Sequence, residues 1–273
     1  TSSDLATSYM SPETLTAMKH NMFTPGNYFY NGIGHVTVNY GKVITYGYSE
    51  YIKEIEEELA GMRVSDANYC KKHALLEAML ISLRAVIRYA KRYSRLAKEM
   101  AEKEQNGTRK AELLKISENC DRVPESGARN FYEACQSFWF IQMLIQVESS
   151  GHSISPGRFD QYMYPFYKKS LDAGMTREQA QEYIDCIWVK LNDLNKCRDA
   201  VSAEGFAGYS LFQNLIAGGQ NVHGEDATDD HRDGTRFPAA TFLLRESVER
   251  FAARVFGQSG GTYPHGNRFP RVL

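Results

Sequence analysis

Glu148-Ser149-Ser150-Gly151-His152-Ser153-Ile154-Ser155-Pro156-Gly157-Arg158-Phe159-Asp160-Gln161-Tyr162, continuing through Met163-Tyr164-Pro165, is the stretch on which the fold of this chain turns. Just upstream, residues 131–148 are apolar nearly all the way round, and Gln142 and Gln146 interrupt the run 138–147. A helix without a polar face has to be buried inside a large body. The Ser, Gly and Pro of 149–157 then break the helical period, as a loop does. Polar side chains such as His152 and Ser153, carried on a loop that leaves a buried helix, can point into a cavity. Loops held by a rigid scaffold are where binding residues gather.

Outward from this loop the pattern is mostly helical. Downstream, 159–167 is an aromatic segment, 177–195 an amphipathic helix, and 209–218 a buried strand ending at Gly218-Gly219. Upstream, 51–62 is an acidic amphipathic helix. Residues 66–103 carry Leu75, Leu76, Met79, Leu80, Leu83, Val86, Ile87 and Tyr89 at helical spacing, and a shorter helix spans 109–119 after Asn106-Gly107. Residues 4–21 predict a polar helix with Ser11-Pro12-Glu13 at its start. Residues 22–46 are rich in Gly, Asn, Tyr and Phe, and 35–40 alternate like a short strand. The class is helix-dominated α/β, with no repeats and no low-complexity linker.

The 273 residues hold 32 Lys+Arg against 33 Asp+Glu, which gives no electrostatic case for nucleic acid or a charged membrane. At 42% hydrophobic the chain can bury a core, and no apolar run approaches the roughly 20 residues of a membrane span. The first residues show neither a basic nor an apolar leader pattern, so a cytoplasmic location is expected. Cys70, Cys120, Cys135, Cys186 and Cys197 are scattered, with no CxxC pair, which argues against a disulfide framework and a zinc site. Cys135 and Cys186 fall inside apolar helical patterns as buried thiols. No dinucleotide fingerprint, P-loop, H-E-x-x-H or G-x-S-x-G is present, and His20, His73 and His152 have no partner His at ligand spacing, so no metal site is expected.

Two loops are more specific than a generic domain requires: 148–165 above, and Gly32-Ile33-Gly34-His35-Val36-Thr37-Val38-Asn39-Tyr40. With Trp188-Val189-Lys190-Leu191-Asn192-Asp193 and Gly208-Tyr209-Ser210-Leu211-Phe212-Gln213-Asn214, they resemble the glycyl radical enzymes. The match is to the pyruvate formate-lyase-like branch that holds the glycerol and propanediol dehydratases and choline trimethylamine-lyase, and it runs from about residue 22 to 228. The resemblance implies a ten-stranded α/β barrel of two half-barrels in a helical shell, of which this chain would supply roughly the first half-barrel with its shell. It also implies a backbone glycyl radical installed by a radical-SAM activase, a thiyl Cys that abstracts hydrogen from substrate, and a Glu base two residues beyond it. Such chemistry suits a barrel that keeps solvent out.

In the dehydratases, residues matching His35, His152 and Ser153 contact substrate hydroxyls, and Tyr209 and Phe212 match the aromatic wall of the site. His and Ser supply the donors and acceptors a vicinal diol needs. The choline lyase resembles this chain less here, carrying Asp at the place of His35, which favours a polyol over a quaternary amine. Arg158 and Asp160 are expected to be structural, a buried ion pair locking the loop, and Tyr162, Tyr164 and Tyr167 to be core packing. Two rivals keep the family or leave it: a C–C or C–N lyase of the same family, or a non-catalytic fragment that docks to a full-length partner. The family is commonly dimeric.

No Cys-x-Glu occurs in the 273 residues, and the glycine loop has no counterpart, so catalytic residues are expected to be absent and the chain inactive as written. From about residue 229 the periodicity fails. Residues 262–273 can be back-translated so that a one-base forward shift spells LTRTGIGFPAY, which resembles the family's continuation. Residues 257–261 and 242–256 shift to family-like text by the same rule. The expected organisation is a partial pyruvate formate-lyase-like domain over 1–228 and a frameshifted, non-native tail over 229–273. Residues there would carry conflicting local and global signals.

Overall fold

A computed structural model describes residues 7–22, 35–148, 153–194, 213–221 and 223–224. Its architecture is helical, with short parallel strand contacts gathered on one side of a buried helix. Helix α1 (Pro12–Lys19) starts where Ser11 accepts from the Thr14 amide at 3.2 Å, with Pro at its first position, and it buries none of its residues.

The alternating stretch 35–40 departs from expectation. Val36 makes a single parallel bridge to Ile154, and at Tyr40 the chain enters helix α2 (Tyr40–Tyr46). Two features of the sequence account for this. Asn39 caps the helix by accepting from the Lys42 amide at 3.2 Å, and Tyr40, Val43 and Ile44, spaced for one helical face, are all buried.

Gly47 (φ +80°) turns the chain into α3 (Tyr48–Gly61), and a Cβ there would lie 2.3 Å from the Glu125 carbonyl oxygen. That close crossing satisfies the open end of α3. The Tyr48 and Ser49 amides donate to the Pro124 and Glu125 carbonyls at 2.9 Å each.

Helices α4 (Tyr69–Lys103) and α5 (Gly107–Arg122) form a hairpin. Ala90, Ser94, Ala97 and Ala101 line the buried edge of α4, small side chains that let α5 come close, and Ser94 and Ser117 hydroxyls meet at 3.3 Å. Asn106 caps α5 by accepting from the Arg109 amide at 3.1 Å.

Helix α6 (Phe131–Glu148) is the centre of the molecule, and its bounds agree with the sequence expectation. Phe138 packs against Tyr40 at 5.1 Å between ring centroids and edge-on to Phe159 at 5.0 Å. Around it lie β1 (Gly157–Arg158), α7 (Phe159–Asp172, the aromatic segment, with Pro165 inside) and α8 (Arg177–Asp193). A full capping box opens α8: Thr176 accepts from the Gln179 amide at 3.2 Å, and Gln179 accepts from the Thr176 amide at 2.9 Å. β2 (Leu215–Ile216) pairs in parallel with β1, Gly157 opposite Leu215. The expected strand over 209–218 is described from residue 213, where its paired part is two residues long with Ile216 half exposed. The tail from residue 229 lies outside the described residues.

Candidate functional site

Three chain segments run side by side in parallel: the one after His35, the one after Ser153, and the one from Gln213. The middle segment touches both others. Val36 bridges to Ile154, and the Ser155 amide donates to the Val36 carbonyl at 3.0 Å. On the other side the Gly157 amide donates to the Asn214 carbonyl at 3.2 Å, and Ser155 Oγ accepts from the Asn214 amide at 3.2 Å.

That register makes His35 and Ser153 neighbours. Each directly precedes a bridged residue, and each has left-handed backbone, φ 58° at His35 and 47° at Ser153. Non-glycine residues rarely adopt that conformation, and where a fold enforces it the position often serves function. Ser153 is buried, and His35 is exposed. Both come from loops singled out in the sequence. His152, Tyr209 and Phe212 lie outside the described residues, as does Cys197.

The segments are held close by steric fit as well as by hydrogen bonds. Gly157 (φ +67°) faces Thr37, whose Cγ2 would stand 2.7 Å from a Cβ at that position. Tyr162 stacks on Tyr40 at 5.7 Å, and its hydroxyl donates to the Pro156 carbonyl at 3.0 Å. Tyr167 packs edge-on against Phe131 at 5.4 Å. Tyr162 and Tyr167 thus do packing work, as expected.

Asp160 locks its loop, though by other partners than expected. Arg158 is exposed and is not among the partners of Asp160. The Asp160 carboxylate instead accepts from the Gly218 amide at 2.5 Å and from the Gln161 amide at 2.8 Å. Gln161 Nε2 adds donations to the Gly218 and Gln220 carbonyls at 3.2 and 3.3 Å. Burial pushes the Asp160 carboxyl above its usual range, against those amide hydrogen bonds. The reason is geometric. Arg158 belongs to β1, whose neighbouring residues point to opposite faces, while Asp160 sits in the first turn of α7, aimed at the end of β2.

A set of glutamines carries more of the site than sequence reasoning assigned to it. Gln142, fully buried on α6, accepts from the Tyr40 hydroxyl, and its Nε2 donates to the Ile154 carbonyl at 2.9 Å and to Gln213 Oε1 at 2.7 Å. Gln146 Nε2 donates to the same Gln213 oxygen at 3.2 Å, and Gln213 Nε2 donates to the Leu191 carbonyl at 3.0 Å. The signal was in the sequence: two amides four apart inside an otherwise apolar helix lie on one face.

The described thiols are all carried on helices. Cys70, Cys120, Cys135 and Cys186 are in helices α4, α5, α6 and α8, the last three buried, and burial holds Cys120 and Cys186 up at about 12. Among the described residues no three His, Cys, Asp or Glu are grouped to hold a metal ion, and no helix is long and apolar enough to cross a membrane.

A model of the pyruvate formate lyase-like family matches residues 1–232. The isethionate sulfite-lyase of Desulfovibrio desulfuricans is 35% identical over 254 residues, covering 86% of this chain and 30% of its own length. The (2S)-3-sulfopropanediol dehydratase of Klebsiella oxytoca is 37% identical, covering 77% of this chain and 26% of its own length. Among solved structures, one describing 1,2-propanediol dehydration in Roseburia inulinivorans is 61% identical, with a TM-score of 0.79 over 91% of this chain and 31% of that one. A glycerol-bound B12-independent glycerol dehydratase from Clostridium butyricum is 48% identical with the same TM-score, over 91% of this chain and 30% of its own. The chain therefore spans about 30% of the length of these relatives.

Proposed function

This chain belongs to the pyruvate formate lyase-like family of glycyl radical enzymes, and from that premise we propose that it is the substrate-holding part of a diol dehydratase, an enzyme that eliminates water from a small vicinal diol or polyol. One observation carries the reading. His35 and Ser153 are register neighbours, both forced into left-handed backbone at the mouths of adjacent parallel segments. Their side chains offer hydrogen-bond donors and acceptors to two adjacent hydroxyls. The 61% identity to a protein of 1,2-propanediol dehydration supports the same substrate class. His152, Tyr209 and Phe212 are assigned to the same pocket through the family resemblance, as a third hydroxyl contact and an aromatic wall. The parallel segments are the first strands of the family's ten-stranded barrel, and the helices around α6 its shell.

In the intact enzyme a glycyl radical, installed by a radical-SAM activase, would supply hydrogen-atom abstraction. The residues of this chain do not fit that role. The described thiols lie on helices, and no Cys-x-Glu is present in the sequence. What the chain does is bind and orient the diol and exclude water from it. Alone it is expected to turn nothing over, and residues 229–273 are read as a frameshifted tail. That the family match ends at residue 232 supports this. Reading the nucleotide sequence past Leu273 in all frames tests it: a shifted frame that reaches Cys-x-Glu and a glycine loop is expected, and none would remove the frameshift.

The substrate reading is tested by transplanting residues 35–224 into the Roseburia inulinivorans dehydratase and activating the chimera anaerobically. Dehydration of 1,2-propanediol is expected, with Ser153→Ala and His35→Ala each lowering kcat/KM about 100-fold, the scale of two lost polar contacts in a desolvated site. Unchanged kcat/KM in both variants would sink the assignment.

A further inference from the structure

One side chain touches two of the three segments on which the candidate contacts ride and the helix start into which the first of them runs. Gln142 accepts from the hydroxyl of Tyr40, five residues after His35. It donates to the carbonyl of Ile154, next to Ser153, and to the side chain of Gln213, next to Phe212. Both N–H groups and the carbonyl of this buried amide are engaged. Gln213 passes the linkage on to Gln146 and to the last turn of α8 at Leu191. A carboxylate of the same shape would fail, because it would set oxygen against the Ile154 carbonyl and the Gln213 oxygen. An apolar side chain would take this partner from the Ile154 carbonyl and the buried Tyr40 hydroxyl, and would leave the Gln213 oxygen with Gln146 alone. Neither packing nor helix propensity calls for an amide here. Those partners do.

We propose that Gln142 is a positioning residue that fixes the mutual register of these segments, and with it the spacing of the groups that hold the two substrate hydroxyls. This inference rests on the diol reading above. Among the described residues the pairing is too short to set that register, with one isolated bridge on one side and a two-residue pair on the other. In such strands register is weakly specified by pairing alone. The glutamine on α6 supplies what the ladder lacks, and it ties the register to a buried helix.

The test has two arms. In this chain, amide hydrogen exchange at Ser155 and Gly157 reads the two ladders directly and needs no turnover. Gln142→Glu, nearly isosteric, is expected to speed exchange at both by about tenfold or more while leaving the α4 amides unchanged, and Gln142→Leu to do the same. Exchange unaltered in both variants overturns the proposal. So does a rise of equal size throughout the chain, which would mark a packing role only. In the active chimera, Gln142→Glu is expected to raise KM for 1,2-propanediol about tenfold or more, with a smaller change in kcat. Selective loosening with unchanged KM and kcat overturns the link to substrate. A chimera without dehydration in its unsubstituted form counts against the diol reading, and the exchange arm then decides the register role alone.

Discussion

Helices α4 and α6 are both long, and both carry polar side chains along much of their length, yet those polar groups do opposite work. On α4 the charges face solvent and pair across to α3, as Arg84 does with Glu56 at 2.6 Å. On α6, Glu133, Gln136, Ser137, Gln142 and Gln146 are all buried. Glu133 accepts from the Arg129 amide at 2.7 Å and pairs with its guanidinium, closing the start of the helix. Gln142 and Gln146 reach the strand segments at its other end. A polar residue on an amphipathic helix marks where the water is. On the buried helix α6, Glu133, Gln142 and Gln146 each mark a partner inside the protein, because a buried polar group without one costs several kcal/mol.

The contrast predicts very different responses to truncation. Phe138→Ala on α6 removes a fully buried ring that touches Tyr40 and Phe159, and should cost about 3–5 kcal/mol in urea unfolding. Leu75→Ala on α4 truncates a side chain that is 61% exposed, and should change stability by about 0.5 kcal/mol or less. Similar losses at the two sites would break the comparison.

Gly157→Ala comes next in size. It combines left-handed backbone with a Cβ placed 2.7 Å from Thr37 Cγ2, so the Thr37 side chain has to move as well. Backbone strain alone is worth about 1–2 kcal/mol. The same change at Gly61, where nothing lies within 4 Å, should be neutral or slightly stabilising, since α3 gains a better helix former at its last residue. Thermal unfolding of the two variants separates a position held by the site from one that is not.

How much of this was legible in the sequence follows the same division. The helical hairpin of α4 and α5 announced itself by period alone, and α6 by the length of its apolar run. The bend at 35–40 did not. Alternation there suggested a strand, but a strand needs a neighbour along its length, and only Val36 finds one before Asn39 caps a helix. The Tyr40, Val43, Ile44 spacing carries the helical message, and it begins only where the alternation ends. Ser153 and His35 were legible through the loops that hold them, and their adjacency was not, because a parallel register between segments more than a hundred residues apart leaves no local trace. The Arg158–Asp160 pairing failed for a related reason. Opposite charges two residues apart look like partners on paper, while the fold sends one to solvent and the other to the amides of the Gly218 turn.

Asp160 offers a pH-dependent view of that turn. Its carboxyl is raised in the folded protein, chiefly by burial, so the unfolded chain gives up the proton first as pH climbs. The folded state then binds more protons than the unfolded one, and this group's contribution falls as pH rises from about 3.8 through the raised value. Asp160→Asn keeps an oxygen for the Gly218 amide and abolishes the titration. The stability difference, wild type minus variant, should therefore decline with pH across that window in urea unfolding. A difference that grows with pH would mean the amide hydrogen bonds, and not desolvation, govern the group.

The smallest expected effect lies on α4 and guards the comparison from the other side. Arg84 and Glu56 are about half exposed, so water screens their attraction, and ordering two long side chains offsets much of what remains. Arg84→Ala should thus cost about 0.5 kcal/mol or less at moderate salt, and the loss should shrink further as salt rises. A larger, salt-independent loss would mean that the aliphatic stem of Arg84 covers apolar surface between α3 and α4. In that case the outer helix would also use polar residues to hold structure, and solvent exposure alone would no longer separate α4 from α6.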